Sequence, residues 1–166
     1  MPLITFLTDY GLNDSYVAEV KGVLLSRVPD ATIVDITHLI PPGDIRSAAY
    51  VLGRAWRSFP EGAVHLAVVD PGVGTGRAAL AVRSHGHTFV GPDNGLFSYV
   101  LTAGPFCQRA WPTSPLGDSA PEGGGQGLRG AMPFARSSAA AAAVFSSPSW
   151  PSAASTSGAF VNCTSR

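Results

Sequence analysis

One stretch constrains the fold of this chain more than any other: residues 63–77, with the sequence AVHLAVVDPGVGTGR. An apolar run typical of a buried strand ends at Asp70, and Pro71 and a series of glycines follow it. In open α/β sheets, ligands bind beyond the carboxyl ends of the strands, because the loops there leave a crevice. Asp70 and Arg77 are therefore predicted to face each other across a glycine loop and to hold a polar reactant such as water. An ordinary tight turn closed by a salt bridge fits the same residues equally well.

Other predicted strands also end in polar residues. Leu3–Thr8 alternates apolar residues with threonine and ends before Asp9, and a strand predicted at residues 88–90 precedes a turn that contains Asp93 and Asn94. Each of these polar side chains is a candidate ligand contact. Asn94 fits a binding role and a turn-stabilising role equally well.

Two segments have the apolar spacing of amphipathic helices, at residues 16–27 and 45–59. Asp14 precedes the first helix and is either its cap or a ligand contact. Asp44 precedes the second helix and is predicted to cap it. A β-branched segment at residues 32–36 lies between the helices and is predicted to be a strand.

The alternation of strands and helices predicts an α/β fold with a mostly parallel central sheet flanked by helices. Residues 78–82 and 88–90 are predicted to be strands joined by a turn, with His85 and His87 in solvent. His65 lies inside a predicted strand, where a half-buried residue with a satisfied hydrogen bond is expected rather than an acid or base.

The composition changes at about residue 106, where Ala, Ser, Gly and Pro begin to dominate and the apolar periodicity disappears. Such a segment has too few large apolar residues to offset its ordering entropy. We therefore predict one α/β domain over residues 1–105 and a low-complexity, largely disordered tail over residues 106–166.

The overall composition limits the partners that are expected. The formal net charge is zero, so the bulk charge attracts neither nucleic acid nor an anionic membrane. The amino terminus lacks a basic segment, no apolar run is long enough to span a bilayer, and Cys107 and Cys163 lack metal-ligand spacing. The expectation is a cytoplasmic protein with no bound metal.

Four blocks follow one another along the chain: ITFLTDYGLNDSYVAEVKG (residues 4–22), THLIPPGDI (37–45), FPEGAVHLAVVDPGVGTGR (59–77) and VGPDNGLFSYVL (90–101). In this order and at these intervals they closely resemble the S-adenosyl-L-methionine hydroxide adenosyltransferase family, which is related to the fluorinases and chlorinases. The resemblance implies an amino-terminal α/β domain followed by a smaller β domain, and a homotrimer with active sites between subunits. It also implies that water attacks the 5′ carbon of S-adenosyl-L-methionine and releases adenosine and L-methionine, with no cofactor.

Matched by position, the resemblance implies roles for individual residues. Asp9 matches the acid that binds the ribose hydroxyls, and Asp14 matches an acid that contacts the methionine end of the substrate. Asp70 and Arg77 match two members of the Asp-Arg-His set that positions water. The halogenating relatives carry Tyr at the position of Asp70 and Thr at the position of Val73, which implies water rather than halide as the nucleophile here.

The sequence also departs from the family. The third water-site residue, a His in a Phe-His-Gly-Arg-Asp block, has no counterpart, and neither has the carboxy-terminal β domain. We hypothesise that residues 106–166 are a frameshift product, an idea that fails if no other reading frame encodes a His-Gly-Arg-Asp-like block. Impaired hydrolysis is one expectation, and a non-catalytic protein that binds adenosine or S-adenosyl-L-methionine through Asp9 and the loop of Asn94 is another. A metal-dependent hydrolase that uses Asp9, Asp14, Asp70 and a histidine is a third.

Overall fold

The computed structural model describes residues 1–72 and 77–104 in full and, beyond them, the backbone of two short strands. Its helices are α1 (Tyr16–Arg27), α2 (Ile45–Ala55), which a 3-10 turn (Trp56–Ser58) continues, and α3 (Ser98–Leu101). Its strands are β1 (Leu3–Thr8), β2 (Thr32–Thr37), β3 (Val64–Val68), β4 (Ala79–Ser84), β5 (His87–Pro92), β6 (Phe106–Trp111) and β7 (Asn162–Thr164).

The strands form one sheet in the order β2-β1-β3-β5-β4-β6-β7. The four strands β2, β1, β3 and β5 run parallel to their neighbours, and β4 returns antiparallel beside β5. β6 and β7 extend the same edge with antiparallel pairs. The protein therefore has the α/β fold predicted from its sequence, with a mostly parallel sheet in the five strands of residues 3–92.

Helices α1 and α2 cover opposite faces of the sheet. Alternate residues of a strand point to opposite faces, so β1 and β3 each contribute to both apolar clusters. On the α1 face the buried cluster includes Ile4, Phe6, Val20, Leu24 and Leu66. On the α2 face it includes Leu7, Ala48, Leu52, Ala67 and Phe89. Each helix contributes the apolar side that its spacing predicts.

The β4–β5 hairpin turns at His85 and Gly86, both of which have positive φ, 50° and 74°. Such a two-residue turn matches the twist of the strands that it joins. His85 is exposed as predicted, but the solvent position predicted for His87 is wrong: only 4% of its surface is exposed. Its Nδ1 lies 3.1 Å from Nε2 of His65, and its ring packs edge-on against Trp56. These partners come from β3 and from the end of α2, so the local sequence does not reveal them.

His65 is fully buried, and its Nδ1 lies 2.8 Å from the hydroxyl oxygen of Thr5. The prediction of a satisfied hydrogen bond is confirmed, although burial is complete rather than partial. The predicted tail contains β6 and β7, whereas residues 112–161 lie outside the described part of the chain. The domain boundary at residue 105 therefore stays a prediction.

Candidate active site

The predicted site residues lie at one edge of the sheet. Asp9 follows β1, Asp70 follows β3 by one residue, and Asn94 lies just after β5. These strands are parallel, so their carboxyl ends lie at the same edge. The chain passes from β1 to β2 on one side and then back to β3 on the other, which makes the gap between β1 and β3 a topological switch point. Asp9 and Asp70 lie on either side of the place where such folds bind ligands.

Asp70 and Arg77 form an ion pair, as the sequence predicts. Nη1 of Arg77 donates to Oδ1 of Asp70, which also accepts a hydrogen bond of 2.9 Å from the amide of Gly72. The side chains are 11% exposed for Asp70 and 30% exposed for Arg77, so part of each remains accessible to a ligand. The pair thus places a charged hydrogen-bond acceptor beside a charged donor at the carboxyl edge of the sheet.

Gly72 leaves room for the guanidinium of Arg77. A methyl group at this position would lie 2.5 Å from Nη2 and 2.9 Å from Cζ of Arg77, closer than two such atoms can approach. The Arg77 side chain therefore lies directly over the glycine backbone. A larger residue in this turn would push the guanidinium away from Asp70.

Asp9 is fixed by the loop that follows β2. Its Oδ2 accepts a hydrogen bond of 2.7 Å from the amide of Gly43, a residue with φ of +73°. A methyl group on Gly43 would lie 3.4 Å from Cβ of Pro71, so the turn at Gly43 contacts the turn that begins at Asp70. The turn that binds Asp9 therefore lies close to the turn that begins at Asp70. The sequence gives little indication of this proximity, because Gly43 is typical of any stiff turn.

Tyr10 is a site residue that the sequence analysis missed. Burial, together with the neighbouring carboxylates of Asp9 and Asp70, raises the pKa of its phenol well above the ordinary value. The phenol therefore keeps its proton at neutral pH and remains a hydrogen-bond donor. Its ring meets that of Tyr16 edge-on at 6.3 Å, which connects the site to the first turn of α1.

Asn94 ties the loop after β5 to the strand end that carries Asp70. Its Nδ2 donates to the carbonyl oxygen of Val69 at 2.8 Å, and its Oδ1 accepts from the amide of Leu96 at 3.2 Å. The turn-stabilising role is thus in place. The backbone immediately before Asp70 is held by a side chain from a different loop.

Asp44 is the N-cap of α2, whereas Asp14 lies one residue before Ser15, the N-cap of α1. Asp14 is exposed, and its Oδ1 accepts a hydrogen bond of 3.0 Å from the amide of Tyr16 at the start of α1. Asp44 accepts from the amide of Ser47 at 3.0 Å and from its hydroxyl at 2.6 Å, and these bonds lower the pKa of the carboxyl. The prediction that Asp44 caps α2 is confirmed. In the ranges 1–72 and 77–104, Asp14 is thus engaged at the helix start rather than with Asp9 or Asp70.

Among the residues that the structure describes, no three His, Cys, Asp or Glu side chains are grouped as a metal would require. In the same part of the chain, none of the helices has the length and apolar character needed to cross a bilayer.

Fold and site together define an α/β protein with charged and polar side chains gathered at the switch point of a mostly parallel sheet, where such folds bind ligands. A family model described as the SAM hydroxide adenosyltransferase N-terminal domain matches residues 4–121. The chain belongs to this family.

Similar proteins agree with this assignment. An (R)-S-adenosyl-L-methionine hydrolase from Thermus thermophilus is 57% identical over 95 residues, which cover 57% of this chain and 37% of the relative. A protein of the same name from Methanocaldococcus jannaschii is 45% identical over 105 residues, covering 60% and 40% of the two chains. A fluorinase from Nocardia brasiliensis is 42% identical over 82 residues, covering 49% and 27%.

Among solved structures, a conserved hypothetical protein from Thermus thermophilus matches with a TM-score of 0.60 at 49% identity. The match covers 69% of this chain and 48% of that one. The hydrolase matches span only about two fifths of the curated relatives' length.

Proposed function

We propose that this protein hydrolyses S-adenosyl-L-methionine to adenosine and L-methionine. The observation that carries the proposal is the Asp70–Arg77 pair, which lies at the switch point of the sheet opposite Asp9. Support also comes from relatives that are 45–57% identical and are named (R)-S-adenosyl-L-methionine hydrolase.

The proposed reaction is an in-line displacement at the 5′ carbon of the substrate. The oxygen of a water molecule forms a bond to this carbon, and the carbon–sulfur bond breaks with its electron pair going to sulfur. Neutral methionine leaves, and the carboxylate of Asp70 accepts the proton that the water loses. The sulfonium is already a good leaving group, so the protein has to orient water and exclude competing solvent, and it needs no cofactor.

Asp9 is proposed to bind the two ribose hydroxyls. A carboxylate has acceptor positions on both oxygens, and the bond from Gly43 to Oδ2 fixes the plane in which they are presented. Asp14 is proposed to contact the methionine end of the substrate and Asn94 to line the pocket. Both would do so in addition to the capping and turn contacts described above.

A second candidate is binding of S-adenosyl-L-methionine or adenosine without turnover. It needs only Asp9 and the loop of Asn94, which lie at the same edge of the sheet, and it needs no residue that activates water. We further propose a homotrimer, the assembly that the family resemblance implies, and a location in the cytoplasm. For residues 106–166 we keep the proposal of a low-complexity tail.

The test is incubation of the purified chain with S-adenosyl-L-methionine, with adenosine and methionine followed by chromatography. Asp70→Asn keeps the shape of the side chain but removes its charge and its ability to take a proton. We expect it to lower the rate about a hundredfold. Asp30→Asn is the matched control, because Asp30 is exposed and lies before β2, at the opposite edge of the sheet.

Each outcome separates the candidates. Adenosine release that Asp70→Asn slows about a hundredfold and Asp30→Asn preserves supports hydrolysis. Binding detected by calorimetry with no release in the wild type supports the second candidate. Release that is equally fast in Asp70→Asn would overturn the proposed role of the pair.

A further inference from the structure

His38 lies at the centre of a series of polar contacts that runs from the exposed Asp35 to the buried Thr8 and the backbone beside Asp9. Its Nδ1 lies 2.8 Å from the hydroxyl oxygen of Thr8, which accepts a hydrogen bond of 3.3 Å from the amide of Tyr10. On its other side, Nε2 lies 3.2 Å from Oδ1 of Asp35, an ion-pair distance without the alignment of a full hydrogen bond. Asp35 in turn accepts from Lys21 of α1 at 2.6 Å.

The hydroxyl of Thr8 contacts both of its neighbours. Its oxygen accepts from the amide of Tyr10, because a backbone amide can only donate, and it lies within hydrogen-bond distance of Nδ1 of His38. A hydroxyl has one hydrogen and two acceptor positions, so both bonds can form with either tautomer of the imidazole. The hydroxyl of Thr8 therefore joins the side chain of His38 to the backbone immediately after Asp9.

The backbone of His38 makes a second contact with the same loop. Its carbonyl oxygen accepts a hydrogen bond of 2.7 Å from the amide of Gly11, which has φ of +76°. His38 therefore holds the chain at Thr8, immediately before Asp9, and at Gly11, two residues after it. The segment between these points carries both Asp9 and Tyr10.

The order Asp35–His38–Thr8 has the composition of a catalytic triad, but burial excludes that role. Thr8 is fully buried and only 3% of the surface of His38 is exposed, so neither can reach a substrate. A nucleophile needs access to the reacting atom. The contacts among Asp35, His38 and Thr8 can therefore affect the reaction only by fixing the position of another residue.

We propose that His38 and Thr8 are positioning residues that set the direction of the Asp9 carboxylate, and thereby the affinity for the ribose of S-adenosyl-L-methionine. The inference rests on the proposed function, because it assigns the ribose to Asp9. The carboxylate of Asp9 accepts a hydrogen bond from the amide of Gly43. The backbone on either side of Asp9 is fixed by the contacts of His38 with Thr8 and Gly11. Binding groups that are held in place before the ligand arrives bind it more tightly than mobile ones.

The test is Thr8→Val, which removes the hydroxyl at almost constant volume. Thr5→Val is a closely matched control, because Thr5 is also fully buried on β1 and its hydroxyl oxygen also lies 2.8 Å from a histidine Nδ1, that of His65. Thr8→Ser, which restores the hydroxyl, is the rescue. Affinity for S-adenosyl-L-methionine is measured by calorimetry, and amide hydrogen exchange at Gly11 is measured without ligand.

We expect Thr8→Val to weaken binding about tenfold, and Thr5→Val and Thr8→Ser to stay within about twofold of the wild type. Where the wild type turns over, KM should rise in Thr8→Val while kcat stays within about twofold. Gly11 should exchange faster in Thr8→Val than in Thr5→Val.

Equal affinity losses in Thr8→Val and Thr5→Val, or no loss in Thr8→Val, would overturn the inference. If the wild type does not bind S-adenosyl-L-methionine, the proposed function fails separately. Hydrogen exchange at the Gly11 amide is then the remaining test. Faster exchange only in Thr8→Val supports the proposal that His38 and Thr8 fix this backbone segment, and equal exchange in both variants refutes it.

Discussion

Gly72 decides where the guanidinium of Arg77 can lie. The space that a methyl group would need is filled by Nη2 and Cζ of Arg77. We predict that Gly72→Ala displaces the guanidinium from Asp70. The rate of S-adenosyl-L-methionine hydrolysis should fall about tenfold or more, because water is no longer held from both sides. A long flexible side chain can move aside, so the free energy of unfolding should change by less than about 1 kcal/mol.

Turnover and urea unfolding of the same variant check this prediction. Gly22→Ala is the control, since a methyl group there meets nothing within 4 Å on α1. It should leave turnover unchanged. A Gly72→Ala protein as active as the wild type would show that the position of the guanidinium is irrelevant.

At the scale of elements, the approach of β5 to β3 depends on Gly91. A methyl group at this position would collide with the carbonyl oxygen of Ala67 and lie 3.0 Å from the ring of Phe97. Backbone cannot move aside as a side chain can, so the two strands would have to separate. We predict that Gly91→Ala lowers the free energy of unfolding by about 2 kcal/mol or more. Urea unfolding of the variant and the wild type measures this difference in free energy, and a loss below about 0.5 kcal/mol would contradict the prediction.

The elements that the sequence predicts well are those whose signals are local. β1 and α1 have the predicted bounds, because strand alternation, an N-terminal capping segment and helical spacing are all contained in residues 3–27. The second helix was predicted to reach residue 59, whereas α2 ends at Ala55 and a 3-10 turn follows. Trp56 nevertheless lies in the core, as its place on the apolar stripe predicts.

The contacts that the sequence could not predict join distant segments. The bond from Gly43 to Asp9 spans 34 residues, and that from Asn94 to Val69 spans 25. Residue spacing does not predict such pairs, because they depend on which strands become neighbours in the sheet. The convergence of Asp9 and Asp70 could be predicted, since both end strands of a parallel sheet. The role of Tyr10 could not, because its burial depends on α1.

At the scale of the whole molecule, the two edges of the parallel strands have different characters. Charged groups gather at the carboxyl edge, where Asp9, Asp70 and Arg77 remain partly exposed. Towards the other edge, His65 and His87 are buried among aromatic rings and are bonded to each other. Neutral imidazoles can share one hydrogen bond, but two charged ones at this distance repel each other. The stability of the fold should therefore depend on pH through this second group.

Burial, and to a lesser extent the charge of His87, lowers the pKa of His65 to about 3, and burial also lowers that of His87. Below about pH 6.5 His65 is protonated in the unfolded chain but not in the folded protein. The contribution of His65 to the free energy of unfolding is therefore complete above this pH and decreases as the pH falls towards 3. We predict that the wild type loses about 2 kcal/mol through His65 between about pH 8 and about pH 5. Urea unfolding at both pH values measures this loss. His65→Gln, which cannot titrate, should be less stable at the higher pH but should lose about 2 kcal/mol less on acidification. Equal losses in the two proteins would show that His65 is not the group that acid destabilises.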